Sequence, residues 1–321
     1  MQIDAYISYI AHVRRYSPRT QEIYRAVLEE YNEHSGGALT PTAIRNYEVY
    51  LLDQKGGKKD CARTVDMHLS VLSGYCRWLM KNGQLESNPV RLVPRPEIEK
   101  RLPVFYREDS MKQYFDDTAS DASGEQLEFL QSLPNGDKTA KILYTRRLDR
   151  LIISMLYGTG MRRSELISLN RNSIDFSRKT VSVLGKGSKM REIPLVPSLC
   201  EEISLYLRAA DHVLGASEGS TPLLRTPSGS RLYPVYVDRT VKKELGAVAG
   251  ITGRKSPHVL RHTLASELLD NGSDLNSIKE LLGHSSLAAT QVYTHNTIER
   301  LKKVYNQAHP RANKNTGNYG D

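Results

Sequence analysis

The chain has 321 residues, 39% hydrophobic and 25% charged, a balance too polar for a membrane protein and too apolar for a disordered one, and its length points to two domains. No run approaches the roughly 18 apolar residues that a membrane span requires, and the N-terminal MQIDAYISYI carries Asp4 without a basic leader, so neither a membrane anchor nor secretion is expected. The net charge is +9, made of +2 over residues 1–100, −5 over 101–137 and +12 over 138–321, which suits a polyanionic partner and equally suits plain solubility.

The first hundred residues read as a compact bundle of about four short helices. Ser17-Pro18 is a cap with proline at the first helical position, and Ile23, Val27, Leu28 and Tyr31 follow at helical spacing. Thr40-Pro41 opens a second pattern through Ile44, Tyr47, Val49 and Leu51, stopped at Gly56-Gly57. A third begins near Ala62 and runs along Val65, Leu69, Leu72, Cys76 and Leu79 to Asn82-Gly83. Residues 88–103, NPVRLVPRPEIEKRLP, hold four prolines among charges and predict an extended linker, which separates a domain over 1–90 from one over 105–310 through a linker at 91–104.

A helix is expected from about Arg107 to Asp116. The acidic, Gly/Pro-punctuated stretch over 118–141 then reads as an inserted surface loop with one short helix around Gln126 to Ser132. From Arg147, the residues Leu148, Leu151, Ile152, Met155 and Leu156 form one helical face that stops at Gly158-Thr159-Gly160, and another helix starts near Arg162. Val181 and Val183, then Ile193 and Leu195, flank the turn Gly185-Lys186-Gly187-Ser188 and predict a β-hairpin. The remainder reads as helical, with caps at Ser256-Pro257 and Ser273 and stops at Asn271-Gly272 and Gly283. Ile298, Leu301, Val304 and Tyr305 place an apolar stripe on a basic helix, and the polar tail 311–321 is expected to be disordered. Cys61, Cys76 and Cys200 lack metal spacing and predict reduced thiols buried as small apolar side chains in a cytoplasmic protein.

Walker, zincin, nucleophile-elbow and dinucleotide motifs are all missing from the sequence, which disfavours nucleotide triphosphate and zinc chemistry. What stands out is a set of basic side chains at turns. Arg162 follows a Gly-Thr-Gly turn at a helix start, where unpaired N–H groups and a guanidinium fork both suit phosphate; taken alone, an ordinary surface arginine is the commoner reading. Glu165, one turn on, can pair with it. Lys186 stands between glycines at a hairpin tip, a place also used for solubility, and Lys189 and Arg191 behind it read as backbone-phosphate contacts. His258 and Arg261 share a helical face, although with nine histidines in the chain a chance H-x-x-R pair is expected about once. His284 follows the stop at Gly283, where capping is the plain reading, and Tyr293 is one of 18 tyrosines.

The order and spacing of these elements are specific where each alone is not. The run SPHVLRHTLASELLDNGSDLNSIKELLGHSSLAATQVYTH, preceded by TGMRRSEL and GKGSKMREIPL, closely resembles the tyrosine site-specific recombinases, and within them the bacterial Xer proteins. The likeness begins at SPRTQEIYR and continues through THNTIERLKKVYNQAHPRA, so it covers nearly the whole chain. It implies a mainly α fold, with a SAM-like four-helix core DNA-binding domain followed by an α+β catalytic domain bearing a small β-hairpin. It implies Arg162, Lys186, His258, Arg261 and His284 as catalytic residues and Tyr293 as nucleophile, beside which the spacing of Glu165 makes it the support of Arg162.

The activity implied is site-specific cleavage and rejoining of double-stranded DNA through a 3′-phosphotyrosyl intermediate, with no metal, ATP or other cofactor. The partners implied are a short imperfect palindrome of DNA, a homotetramer or a heterotetramer with a paralogous recombinase, and an accessory protein. The setting is chromosome dimer resolution at the nucleoid. Arg14, Arg15, Lys58, Lys59, Arg63, Lys189, Arg191, Arg254 and Lys255 are the candidate DNA contacts, and for the first five solvated charge is at least as good a reading. A mobile-element or phage integrase, or an invertase, with the same chemistry is the nearest alternative; a type IB-like topoisomerase and a catalytically inactive regulator stand further off. The long acidic stretch over 118–141 and the polar residues beyond Ala312 depart from the Xer pattern.

Overall fold

Ser17 accepts a hydrogen bond from the Thr20 backbone N–H at 3.2 Å and Pro18 takes the first helical position, which turns the chain into helix α2 (Pro18–Ser35). The computed structural model, which describes residues 1–53, 61–97, 105–185 and 190–283, divides into two units, Met1–Leu102 and Pro103–Asp321. In the first unit α2 packs with α1 (Ile3–His12), α3 (Pro41–Asp53) and α4 (Ala62–Lys81). Ile44, Tyr47 and Leu51 of α3 are buried, whereas Val49 is 50% exposed, because two residues past Tyr47 is about 200° round a helix. The core is rich in tyrosine, and its hydroxyls are met locally: Tyr31 donates to the Ala38 carbonyl at 2.5 Å, Tyr75 accepts from the Gln2 N–H at 2.8 Å, and Tyr47 lies 2.9 Å from His68 Nδ1.

Residues 89–95 are folded rather than extended. Pro89–Leu92 form a 3₁₀ turn capped by Asn88, whose Oδ1 accepts from the Val90 N–H at 3.1 Å while its Nδ2 donates to Ser73 Oγ at 2.9 Å. Val90 and Val93 are buried in the helical core, and Arg95 donates to Asp66 at 2.5 Å and Ser70 at 2.9 Å. The prolines stop a helix, but the valines between them still carry apolar surface worth burying. Cys76 and Cys200 are buried as expected, whereas Cys61 is exposed at the N-cap of α4, where its Sγ lies 3.3 Å from Thr64 Oγ1.

The second unit is built round α7 (Lys138–Thr159). Every residue from Arg147 to Thr159 is buried, because α9 (Pro197–Leu214), α10 (Pro234–Glu244) and α11 (Pro257–Asp270) all pack on it. The helix starts well before Arg147, at a cap where Asp137 Oδ1 accepts from the Thr139 and Ala140 N–H groups at 2.6 and 3.1 Å. Each of its buried charges has a hydrogen-bond partner, although Nε and one terminal nitrogen of Arg147 and Nε of Arg150 have none. Asp149 accepts from Thr240 at 3.1 Å and Lys243 at 2.9 Å; Arg150 donates to the Phe115 carbonyl at 3.2 Å and to Thr118 at 2.5 Å.

The stretch over 118–141 carries the expected short helix, and it is packed into the core rather than looped out on the surface. After α5 (Glu108–Asp117) comes a 3₁₀ turn (Ala119–Ala122) and then α6 (Gly124–Ser132), whose Leu127 and Leu130 are completely buried. The Ser123 carbonyl and the Gln126 side chain accept from Arg147 at 2.7 and 3.0 Å. Polar composition concealed a segment that fills the core with two leucines and accepts hydrogen bonds from one nitrogen each of the buried Arg147 and Arg150.

The chain leaves α7 through Gly160 into α8 (Arg163–Ser168) and a small antiparallel sheet. The sheet has the order β1 (Ile174–Asp175), β2 (Thr180–Leu184), β3 (Met190–Pro194), with Val183 opposite Arg191 and Val181 opposite Ile193. The hairpin thus gains a short third strand. Helix α12 (Leu275–Leu282) is capped by Asp274 rather than Ser273: its Oδ1 accepts from the Asn276 and Ser277 N–H groups at 2.9 and 3.0 Å, and a carboxylate also suits the positive end of the helix dipole. Ser256 occupies the N-cap of α11 without a side-chain cap bond. The predicted stop at Gly56-Gly57, the tip of the hairpin, the stripe from Ile298 to Tyr305 and the tail over 311–321 lie outside the described residues.

Leu127→Ala is expected to lower stability by about 2–5 kcal/mol, the cost of a buried leucine cavity, as measured by the urea midpoint. An effect within about 0.5 kcal/mol, the surface value, would mean that α6 is only an appendage.

Candidate active site

The site starts from a turn that only glycine can make. Gly160 has φ +60°, and a Cβ there would stand 2.6 Å from Leu282 Cδ2 and 3.0 Å from Leu264 Cδ2. This turn delivers Arg162 as the N-cap of α8. Glu165 Oε2 accepts from the Arg162 backbone N–H at 2.8 Å and Oε1 from its guanidinium at 2.8 Å. The backbone N–H expected to stand open to an anion is thus occupied by Glu165, and the positioning of Arg162 comes from that carboxylate instead.

Arg191 reaches the same carboxylate from β3. Its two terminal nitrogens donate to Glu165 Oε1 and Oε2 at 2.9 and 2.8 Å, and both side chains are buried, Glu165 being 3% exposed. Arg191 is therefore not a contact to a DNA backbone: its guanidinium is turned inward and spent on the protein. Alternation along β3 carried the signal, because Arg191 shares a face with buried Ile193. Burial alone would raise the Glu165 carboxyl; the Arg191 hydrogen bonds, the Arg162 N–H and the nearby guanidinium charges outweigh it and hold the group down at about 2.

Helix α11 adds Arg261, which is buried and donates to the Gly160 carbonyl and to the Leu282 carbonyl, each at 2.6 Å. Arg162 also reaches the Gly283 carbonyl at 3.2 Å, and Arg191 Nε the Leu281 carbonyl at 3.4 Å. Three guanidiniums from α8, β3 and α11 so converge on the last turn of α12, where open carbonyls and the negative end of the dipole attract cations. Desolvation, then repulsion from Arg162 and Arg191, pulls Arg261 down to about 10, which leaves it charged at neutral pH. Gly283 closes the helix at φ +67°, with a would-be Cβ 3.1 Å from the Arg191 guanidinium.

His258 lies one turn before Arg261 on α11 and is exposed at the surface. Lost hydration at its ring, then the charges of Arg163, His262, Arg254 and Arg261, push its imidazole below the ordinary range, so it is neutral and able to accept a proton at pH 7. The start of the helix is pinned on both sides by Tyr106, whose N–H donates to Thr263 Oγ1 at 3.0 Å and whose hydroxyl donates to the Arg254 carbonyl at 3.1 Å. Arg163 is tied to Asp238 of α10. These anchors are long-range, and no local pattern announces them.

Folding thus gathers Arg162, Glu165, Arg191 and Arg261 into one hydrogen-bonded cluster, with His258 on the neighbouring turn. Arg254 is exposed and Lys255 half-buried in the loop before α11, while Arg14, Arg15 and Arg63 are exposed on the first unit. Lys58, Lys59, Lys186, Lys189, His284 and Tyr293 lie outside the described residues.

Residues 135–300 match the phage integrase family. The chain is 32% identical over 327 residues to a tyrosine recombinase XerC of Chlorobaculum parvum, covering 97% of this chain and 94% of the relative. The chain belongs to the tyrosine recombinases of the phage integrase family. A second XerC, from Mycobacterium sp. (strain KMS), is 34% identical to this recombinase over 318 residues, with 97% and 99% of the two chains covered. The fold is also similar to that of the Tn1549 transposon integrase solved in complex with transposon right-end DNA, with a TM-score of 0.64 at 17% identity over 94% and 98% of the two chains.

Glu165 supplies a test of the cluster by pH. Its folded pKa of about 2 lies below the ordinary carboxylate value of about 4.3, so its stabilisation is complete above the latter and is lost as pH falls through the former. Glu165→Gln is expected to cost about 3 kcal/mol at neutral pH and to flatten the acid limb of a stability profile between about pH 4.5 and 2. Urea midpoints measured across that range check both effects.

Proposed function

We propose that this recombinase cuts and rejoins double-stranded DNA at a short imperfect palindrome, with Tyr293 as nucleophile, and that it serves Xer-like resolution of chromosome dimers in the cytoplasm. The observation that supports the reading is the convergence of Arg162 and Arg261, with Glu165 and Arg191 behind them, on the helix end that runs directly into His284 in the sequence. Attack on a phosphodiester builds negative charge on two non-bridging oxygens, and fixed guanidinium forks are the side chains suited to meet it. The Arg162 side chain, 31% exposed, is the member of the cluster that reaches solvent.

In this mechanism the Tyr293 oxygen attacks phosphorus and its proton passes to His258, which is neutral for the reason given above. Arg162 and His284 hold the non-bridging oxygens, and Arg261, buried with its terminal nitrogens on the Gly160 and Leu282 carbonyls, supplies positive charge behind them. Lys186 gives a proton to the departing 5′ oxygen, which leaves as a hydroxyl, and the phosphate stays on Tyr293 as a 3′-phosphotyrosyl ester. A second 5′-hydroxyl reverses the step on another strand, so the energy of the phosphodiester bond is conserved in the ester. Arg14, Arg15, Arg63, Arg254 and Lys255 serve as phosphate contacts outside the reacting centre. Four protomers on two duplexes, joined through the stripe from Ile298 to Tyr305, complete the reaction. Among the described residues no helix is long and apolar enough to cross a membrane.

Tyr293→Phe is expected to abolish covalent attachment to a nicked suicide duplex while leaving duplex affinity within about three-fold, because the ring contributes little to phosphate binding. A denaturation-resistant adduct formed by the variant would assign the nucleophile elsewhere. Lys186→Ala is expected to slow cleavage by about 100-fold or more on an ordinary duplex, and by far less where sulfur replaces the bridging 5′ oxygen, since a thiolate leaves without an acid. Equal losses on the two substrates would restrict Lys186 to holding phosphate.

A further inference from the structure

We propose that Arg191 is a positioning residue of the recombination site: it compensates the Glu165 charge, so that Arg162 is oriented without being cancelled, and it locks β3 to the end of α12. The inference rests on the site reading given above, and it concerns a side chain that does not itself meet the DNA.

The geometry is that of a saturated carboxylate. Glu165 Oε1 accepts from the guanidiniums of Arg162 and Arg191 at 2.8 and 2.9 Å, and Oε2 accepts from the Arg162 N–H and from Arg191, each at 2.8 Å. A carboxylate offers about four lone-pair sites, so this one has none left with which to turn elsewhere. Both members of the Glu165–Arg191 pair are buried, which removes solvent screening between them. With Arg162 as its sole partner, Glu165 would cancel the cation that has to meet the phosphate. With Arg191 and Arg261 present, three guanidiniums face one carboxylate and the cluster keeps a net charge of two, a match to charge spread over two phosphate oxygens.

Arg191 also joins two segments of the site. It stands on the second strand of the hairpin, five residues past Lys186 in the sequence, and its Nε points at the Leu281 carbonyl at 3.4 Å, three residues ahead of His284 in the sequence. The absence of a Cβ at Gly283 lets the guanidinium pack against that turn. A lysine at position 191 would keep the charge but has no planar fork to hold both Glu165 oxygens and a carbonyl together.

The test uses the full chain and a nicked suicide duplex built on the sequence that the unmodified protein selects from a random duplex pool. The covalent adduct maps the cleaved phosphate. Single-turnover adduct formation is then compared on that duplex and on one carrying a methylphosphonate at the cleaved position, where a neutral methyl replaces a charged oxygen. Arg191→Met is expected to lower the rate about 100-fold on the phosphodiester but only about ten-fold on the methylphosphonate, because an uncompensated Glu165 repels the charged substrate more. Arg191→Lys should lose rate on both substrates to the same degree.

The double variant Glu165→Gln/Arg191→Met removes one buried charge of each sign and leaves no buried carboxylate without its partner, so it should fold even if Arg191→Met does not. It is expected to lose about ten-fold on both substrates alike, because Arg162 is then unanchored but not cancelled. Equal losses on the two substrates for Arg191→Met, or unmodified rates in the double variant, would overturn the positioning role and leave the recombinase reading intact. A failure of the unmodified chain to form any adduct would overturn that reading and the positioning role with it.

Discussion

The buried carboxylate of Glu165 is the interaction on which the arrangement of the site depends. Removing a carboxylate from water is costly, and the cost is met only by partners with good geometry. Here those partners come from different parts of the fold: Arg162 from the turn after α7, and Arg191 from β3. Through them the constraint spreads, because Arg162 and Arg191 also bind carbonyls at the end of α12, and Arg261 of α11 binds both that end and the Gly160 turn. One negative charge therefore ties α8 and the sheet to the end of α12, where Arg261 of α11 also binds, and the close packing of Gly160 against Leu264 and Leu282 leaves that assembly little room to slide.

A second set of buried charges lies along α7 and follows the same rule. Asp149, Arg150 and Arg147 sit in a helix that is buried on every side, and each meets groups on elements packed against it. Ser154 donates to Glu202 of α9 at 2.8 Å, and Arg150 approaches the same carboxylate at 3.4 Å. Glu267 of α11 shows the opposite balance to Glu165. It receives a hydrogen bond from Tyr157 at 2.8 Å, but burial, with Glu108 and Asp270 nearby, raises its carboxyl to about 7. The two glutamates lie on one scaffold, and the guanidiniums around Glu165 pull its carboxyl down while burial pushes that of Glu267 up.

Much of the local structure was legible because its causes are local. Ser17-Pro18, the glycines at 160 and 283, the alternating valines of the hairpin and the helical spacing of His258 and Arg261 each act within one turn or one strand. The order of those elements along the chain carried the resemblance to tyrosine recombinases, which the relatives then bear out. The readings that failed were those in which a polar or proline-rich stretch was taken for surface. Residues 118–132 and 89–95 fold because a few apolar side chains, Leu127, Leu130, Val90 and Val93, find a core built elsewhere.

The sequence by itself determined the class of the fold, the family and the types of side chain present for phosphate chemistry, since caps, periodicity and motif spacing are all written in neighbouring residues. Only the tertiary structure decided what each charge does. Arg191 looked like its neighbour Lys189, one basic residue among several behind a hairpin tip, and Glu165 looked like a partner for Arg162 alone. Whether a guanidinium faces DNA or a buried carboxylate depends on what lies across the strand and at the end of a helix 90 residues away. Burial and Coulomb energy act through space, and the sequence orders residues only along the chain.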